Sequence, residues 1–292
     1  MPQGILVTGG DGLLAYALRG LASADCEMTF LSRAEFDLIA AEQMRERLDA
    51  LRPEIVLNTA AYNLVERCEQ ERDLSWAINA TAPETLAKLC AEKNIRLVHY
   101  GTDYVFDGEK GSPYVETDAP HPLNHYGAGK LAGDRAVLAA SPKHVVMRTS
   151  WVFGPHPTQT KSYVHSVLRA ARAGNSLKAT TDQSSAPTFS EDLARWTFEL
   201  VRNGTGGLFH AVNDEGVSRF DWTQAILEDA KGLGLVPEAI AVEPVTSGFF
   251  KSPMKRPKNS ILANKKLTAL LGHPLGSWRL GLRKMLAQEA RD

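Results

Sequence analysis

The chain has 292 residues, 43% of them hydrophobic, three cysteines and a formal net charge of −1. That is enough for a full core in one large domain or two smaller ones sharing a cleft. The near-zero charge gives no field to draw nucleic acid or anionic lipid, which argues against either as a partner. Cys26, Cys68 and Cys90 are odd in number and far apart, so reduced thiols are expected, with neither a disulfide framework nor a metal site. No apolar run approaches the span of a bilayer. The N-terminus runs almost straight into an apolar strand and leaves no room for a signal peptide. The expectation is a soluble, cytoplasmic protein that meets no membrane.

The first element, Gly4 to Thr8, is a short apolar run ending in glycines and reads as a buried strand. Helical spacing follows from Leu13 to Ala24. A second strand is expected at Glu27 to Leu31, and a polar helix around Ala40 to Leu51. Glu54 to Asn58 reads as a third strand, Leu74 to Lys93 as a long helix, Ile95 to Tyr100 and His144 to Arg148 as further strands. Strands alternating with helices predict an α/β protein, a Rossmann-type doubly wound parallel sheet covered on both faces. Beyond Trp151 the pattern loosens into Gly- and Pro-punctuated pieces: a helix from Ser190 to Arg202, a strand from Leu208 to Val212, and surface helices at Thr223 to Lys231 and Trp278 to Gln288. Residues 1–150 are therefore assigned to dinucleotide binding, with a return segment at 189–212. Residues 151–292 mainly form a smaller C-terminal substrate-binding lobe.

Thr8-Gly9-Gly10-Asp11-Gly12-Leu13-Leu14-Ala15 closes a strand and opens a helix. Gly9 permits a tight turn, and Gly12 lets the backbone approach a pyrophosphate at the helix start, where the N–H groups of Leu13 and Leu14 lie. The end of the second strand discriminates between nicotinamide cofactors. An acid there would bond a ribose hydroxyl, whereas this chain has Ser32 and Arg33. An arginine fork matches a 2′-phosphate, which favours NADPH while leaving NADH open. Asp37 and Leu38 are the next candidates beside the adenine.

Downstream, Tyr126-Gly-Ala-Gly-Lys130 sets a phenol and an ammonium four residues apart, on one face of a helix. With Thr102-Asp103-Tyr104-Val105-Phe106-Asp107-Gly108 added, the sequence resembles the extended short-chain dehydrogenase/reductases, and among them most closely the dTDP-4-dehydrorhamnose reductase family. The resemblance spans nearly the whole chain. Asn58-Thr-Ala-Ala-Tyr62, Pro122-Leu-Asn-His-Tyr126, Arg148-Thr-Ser-Trp151-Val-Phe-Gly154 and Arg256-Pro257-Lys-Asn-Ser260 all take part. Two positions depart from the pattern: Gly101 stands where the family usually has serine, and Ala15 where glycine is more usual.

The resemblance implies an NAD(P)H-dependent oxidoreductase that reduces the 4-keto group of a dTDP-4-keto-6-deoxy sugar. Thr102, Tyr126 and Lys130 would form the reacting set. The cofactor would deliver hydride and Tyr126 the proton, its phenol made more acidic by Lys130 and the oxidised nicotinamide. Thr102 would steady the carbonyl oxygen. Ala60, Ala61 and Tyr62 would line the cofactor, and Asp103, Trp151 and Arg256 would meet the nucleotide sugar. A homodimer is compatible with the family. Two rival readings remain: another nucleotide-sugar epimerase, dehydratase or reductase, or a regulatory subunit like the methionine adenosyltransferase β subunit.

Overall fold

The computed structural model describes residues 4–22, 27–158 and 162–291. Cys26 lies outside them; Cys68 and Cys90 are free and buried. The N-terminal half runs β1 (Gly4–Thr8), α1 (Leu13–Arg19), β2 (Glu27–Leu31), α2 (Ala41–Leu51) and β3 (Ile55–Asn58), then α3 (Arg72–Trp76), α4 (Ala82–Glu92), β4 (Arg96–Thr102), α5 (His125–Ala140) and β5 (Val145–Thr149). Then come β6 (Val152–Phe153), α6 (Tyr163–Arg172), β7 (Leu177–Thr180), β8 (Ser184–Ser185), β9 (Thr188–Phe189), α7 (Ser190–Asn203) and β10 (Gly207–His210). The chain ends with β11 (Val217–Ser218), α8 (Arg219–Gly232), β12 (Val242–Val245), α9 (Lys265–Leu271) and α10 (Trp278–Glu289).

Six strands form one sheet in the order β2-β1-β3-β4-β5-β10, every neighbouring pair parallel. Alternation along the strands divides the core in two. Ile5, Val7, Leu57 and Met147 face α1 and α7, where Leu18, Leu193 and Trp196 pack. Leu6, Val56, Leu97 and Val146 face the other layer, meeting Met44, Leu48, Leu86 and Val137. A third core, built on Trp222, Ile226, Leu282 and Met285, belongs to the C-terminal lobe. The chain reaches β2 on one side of β1 and β3 on the other. Connections therefore diverge above the C-terminal ends of β1 and β3, where a doubly wound sheet opens its crevice.

Several boundaries differ from expectation. The first helix ends at Arg19, capped by Gly20, before the expected Ala24. The long helix is interrupted: a π-helical segment, Ala77–Thr81, joins α3 to α4. Such a bulge adds a residue to one turn and re-aims the side chains around it. Helices α6 and α9 were not anticipated. Among the described residues no helix is long and apolar enough to cross a membrane.

Candidate active site

A cavity of about 500 Å³ opens above the C-terminal edge of the sheet. Its floor is the glycine turn. Gly9 has φ +66°, and a Cβ there would lie 2.9 Å from the Cα of Ala60. The Gly12 N–H donates to the Gly9 carbonyl at 2.9 Å. Gly12 is the N-cap of α1 and brings no side chain to cover the first N–H groups of that helix. Leu13, Leu14, Ala60, Ala61 and Tyr62 line the same cavity. Asn79 holds Tyr62 by its backbone: its side chain accepts from the Tyr62 N–H at 3.0 Å and donates to the carbonyl at 2.9 Å. Asn79 sits in the π-helical segment, so the helix irregularity positions the crevice wall.

At the end of β2, Arg33, Asp37 and Leu38 line the cavity; Ser32 does not. Ser32 instead donates its N–H and hydroxyl to Glu35 Oε2, at 2.9 and 2.7 Å. These bonds hold the Glu35 carboxyl below its usual value. Arg33 is exposed and, among the described residues, forms no ion pair.

Helix α5 carries Tyr126 and Lys130. Asn124 caps it, accepting from the Gly127 N–H at 2.8 Å, and Glu69 accepts from the His125 N–H at 2.7 Å. The glycines between and beyond the two functional residues allow close packing: a Cβ on Gly127 would lie 2.2 Å from the Tyr104 carbonyl oxygen, and one on Gly133 2.4 Å from that of Asn79. The Tyr126 ring meets Tyr104 edge-on at 5.7 Å and is partly open to the cavity.

The acidity of Tyr126 departs from expectation. Burial pushes its phenol above the ordinary value, opposed by a hydrogen bond with Thr102. Lys130 does not hold it low, because Nζ is directed at β4: it donates to the Tyr100 carbonyl at 2.6 Å and lies 3.2 Å from His99 Nε2. Burial in turn lowers the Lys130 ammonium to about 8, with Asp134 opposing.

Thr102, at the end of β4, does not line the cavity; its hydroxyl donates to Asp103 Oδ1 at 3.2 Å and accepts from the Tyr104 N–H at 3.3 Å. Asp103 is buried, and its oxygens are occupied by protein donors. Oδ2 accepts from Ser185 at 2.9 Å and Ser260 at 2.5 Å, and Oδ1 accepts from Thr102 at 3.2 Å. It ties the two halves together and presents no free acceptor to the cavity. Trp151 stands at the edge of the second lobe with φ +42°, a left-handed conformation that a bulky residue holds only under outside constraint. The constraint is an aromatic stack: Trp151 lies 5.3 Å from Trp222, and Tyr163 lies 5.1 Å from Trp222.

The Arg219 guanidinium rests on this stack, 3.5 Å from the Trp151 ring centre and 4.3 Å from that of Tyr163. Burial lowers its pKa from the ordinary arginine value, and Tyr163, Tyr104, Asp103 and Arg256 are the titratable groups that influence it, yet among the described residues it forms no ion pair. Arg256 donates to Glu66 at 2.8 Å and also bonds Tyr104, closing the second lobe onto the first. Arg219 and Asn79 escaped the sequence reading. Only the i,i+3 spacing of Arg219 and Trp222 carried a signal, and a π-bulge has none.

The fold and the crevice define the class: a Rossmann-type α/β protein of the reductase and epimerase group. Residues 3–291 match the family described as RmlD substrate binding domain. A dTDP-4-dehydrorhamnose reductase of Mycobacterium tuberculosis (strain ATCC 25618 / H37Rv) is 35% identical over 99% of this chain and 94% of its own. The Salmonella typhimurium enzyme of the same name is 34% identical over 83% and 82%. Among solved structures, a dTDP-4-dehydrorhamnose reductase from Bacillus anthracis str. Ames in complex with NADP superposes with a TM-score of 0.91 at 28% identity, covering 99% of this chain and all of that one. A UDP-glucose 4-epimerase from Thermus thermophilus, at 22% identity and a TM-score of 0.81, shares the fold. The chain belongs to the dTDP-4-dehydrorhamnose reductase family.

Proposed function

We propose that this chain reduces the 4-keto group of a dTDP-4-keto-6-deoxy sugar with NADPH, NADH serving as the weaker alternative. The observation that carries the reading is the meeting of Tyr126 and Lys130 in one glycine-floored crevice. The residues present fit a dinucleotide. Gly9 and Gly12 leave the backbone open at the start of α1, and Arg33 offers an unpaired fork at the ribose end. When bound, the dihydronicotinamide supplies the hydride for the sugar's C4.

Tyr126 donates its proton to the carbonyl oxygen as negative charge develops there. Thr102 turns its hydroxyl, which lies between Asp103 and the Tyr104 N–H, to the carbonyl oxygen and shares in stabilising the charge there. Lys130, four residues on along α5, brings a cation to the same crevice, its Nζ held by the Tyr100 carbonyl. Arg219, with an aromatic wall behind it and no carboxylate on it, takes the sugar nucleotide's diphosphate together with Arg256. Trp151, on whose ring Arg219 rests, serves as a wall for the sugar.

The deciding experiment is consumption of NADPH and of NADH by the pure protein, given dTDP-4-keto-6-deoxy-L-lyxo-hexulose generated in situ. Stoichiometric oxidation with a dTDP-6-deoxyhexose as product is the expected result. Tight cofactor binding with no oxidation would sink the reading and favour another nucleotide sugar or a regulatory subunit.

A further inference from the structure

A chain of buried polar groups runs inward from the cavity beneath Lys130. Nζ lies 3.2 Å from His99 Nε2, and His99 Nδ1 lies 3.1 Å from the Asn58 side-chain amide. That amide meets the Thr8 hydroxyl at 2.7 Å. At the same Nε2 edge of His99 stands Asp134, one turn beyond Lys130 on α5. Its Oδ1 is 3.9 Å from Nε2, and its Oδ2 accepts from Arg148 Nε at 2.9 Å. No member of this chain is more than 3% exposed.

Two features single out Asp134. Its Oδ1 is buried with no hydrogen-bond partner, and a buried carboxylate oxygen in that condition is costly unless a nearby cation compensates. Its place is also specifically made. A Cβ on Gly101 would fall 2.8 Å from that oxygen and 2.8 Å from Arg148 Cγ. The glycine on β4 is the room in which the carboxylate lies.

The charges around Lys130 can be counted element by element. From β4 come His99 and Tyr100, from β5 Arg148, and from α5 itself Tyr126 and Asp134. Burial and the Lys130 charge keep His99 neutral, holding it well below its ordinary value, and burial keeps the Tyr100 phenol protonated. Burial raises the pKa of the Asp134 carboxyl, and the Arg148 and Lys130 charges oppose the rise; ionised, it is the one anion facing two buried cations. An ammonium at Lys130 donates to His99 Nε2. That requires the ring proton on Nδ1 and the Asn58 amide turned over, because in the present arrangement Asn58 Nδ2 donates to Nδ1 and its Oδ1 accepts from Thr8.

We propose that Asp134 is a positioning residue for the reduction: from beneath Gly101, and sharing His99 Nε2 with Lys130, it holds Lys130 charged and in place in the crevice that also contains Tyr126. The proposal rests on the reductase reading of the site. Its direction can be worked out. Burial depresses the Lys130 ammonium and Asp134 opposes that depression. Removing the carboxylate's charge therefore lets Lys130 lose its proton at lower pH.

The test is Asp134→Asn, read in two ways on the full chain. Lysine labelled with ¹³C and ¹⁵N lets the Lys130 side chain be titrated by NMR, its signal assigned by its loss in Lys130→Met. The rate profile of kcat/KM is measured over the same pH range. The expected result is a Lys130 midpoint lower by at least about one pH unit, with the alkaline limb of the profile moving by the same amount. Asp134→Asn leaves Arg148 unpaired, so Asp134→Asn/Arg148→Met is titrated alongside it and should show the same shift. An unmoved midpoint in the folded variant overturns the proposal. So does a moved midpoint with an unmoved profile, because the reaction then does not depend on the charge. If the wild-type chain reduces no keto sugar, the reductase reading fails, and the NMR midpoint still decides whether Asp134 keeps Lys130 charged.

Discussion

Asp103 and Ser260, 157 positions apart in the chain, are joined by a hydrogen bond of 2.5 Å in which the Ser260 hydroxyl donates to Oδ2. Ser185 donates to the same oxygen at 2.9 Å. The carboxylate next to Thr102 thus fastens the sheet to both strips of the second lobe. Burial raises its pKa, and the Ser260, Ser185 and Thr102 bonds oppose the rise. Between the ordinary carboxylate value and this raised one, the folded chain binds more protons than the unfolded chain, so the contribution of Asp103 to stability falls as pH rises. Urea titrations of wild type and Asp103→Asn should show wild type gaining on the variant as pH is lowered from 7 through that window. A pH-independent difference would mean that the carboxyl is not buried.

Tyr126→Phe removes the proton donor and leaves the crevice intact. Turnover should fall by about 10²- to 10⁴-fold, the usual worth of a positioned acid, while NADPH affinity stays within about twofold of wild type. Reduction at the wild-type rate would remove Tyr126 from the mechanism.

Arg219 rests on an aromatic stack without an ion pair among the described residues. Arg219→Met keeps some of the packing and loses the charge. The KM for the nucleotide sugar should rise by roughly ten- to a hundredfold, matching about 1.5–3 kcal/mol for a charge-assisted bond. NADPH binding should not change. Equal losses for sugar and cofactor would point to a collapsed stack.

Glu35 occupies the N–H and hydroxyl of Ser32, next to Arg33. A 2′-phosphate arriving at Arg33 would meet that carboxylate. Arg33→Glu should therefore weaken NADPH at least about tenfold more than NADH. Glu35→Gln should shift the preference toward NADPH. Direct titration of each cofactor by fluorescence checks both. Equal effects on the two cofactors would place the 2′-phosphate elsewhere.

Gly101→Ala drives a methyl group into the buried Asp134–Arg148 pair, 2.8 Å from an atom of each. The cost should be about 1–3 kcal/mol in chemical denaturation, typical of overpacking a closed core. A neutral result would show that the pair can move aside.

The sequence by itself determined the sheet and most of its helices. Apolar strands such as Ile55–Asn58 and Val145–Thr149, buried at every position, cannot be satisfied except between two layers. It also determined the glycine turn at Gly9 and Gly12 and the common face of Tyr126 and Lys130, because both are local geometry: one needs a positive φ, the other a helical repeat. What only the tertiary structure decided is where side chains meet across long separations. The spacing put Lys130 on the face of Tyr126, but burial against β4 turned its ammonium toward His99 and the Tyr100 carbonyl, since a buried cation goes where acceptors are. Asp103 sat in a motif that suggested a sugar contact, yet its acceptors are filled by two serines from 82 and 157 residues away. Arg219 had no motif at all. Its aromatic wall is assembled from Trp151, Tyr163 and Trp222, and no local periodicity records which rings a folded chain will stack around a cation.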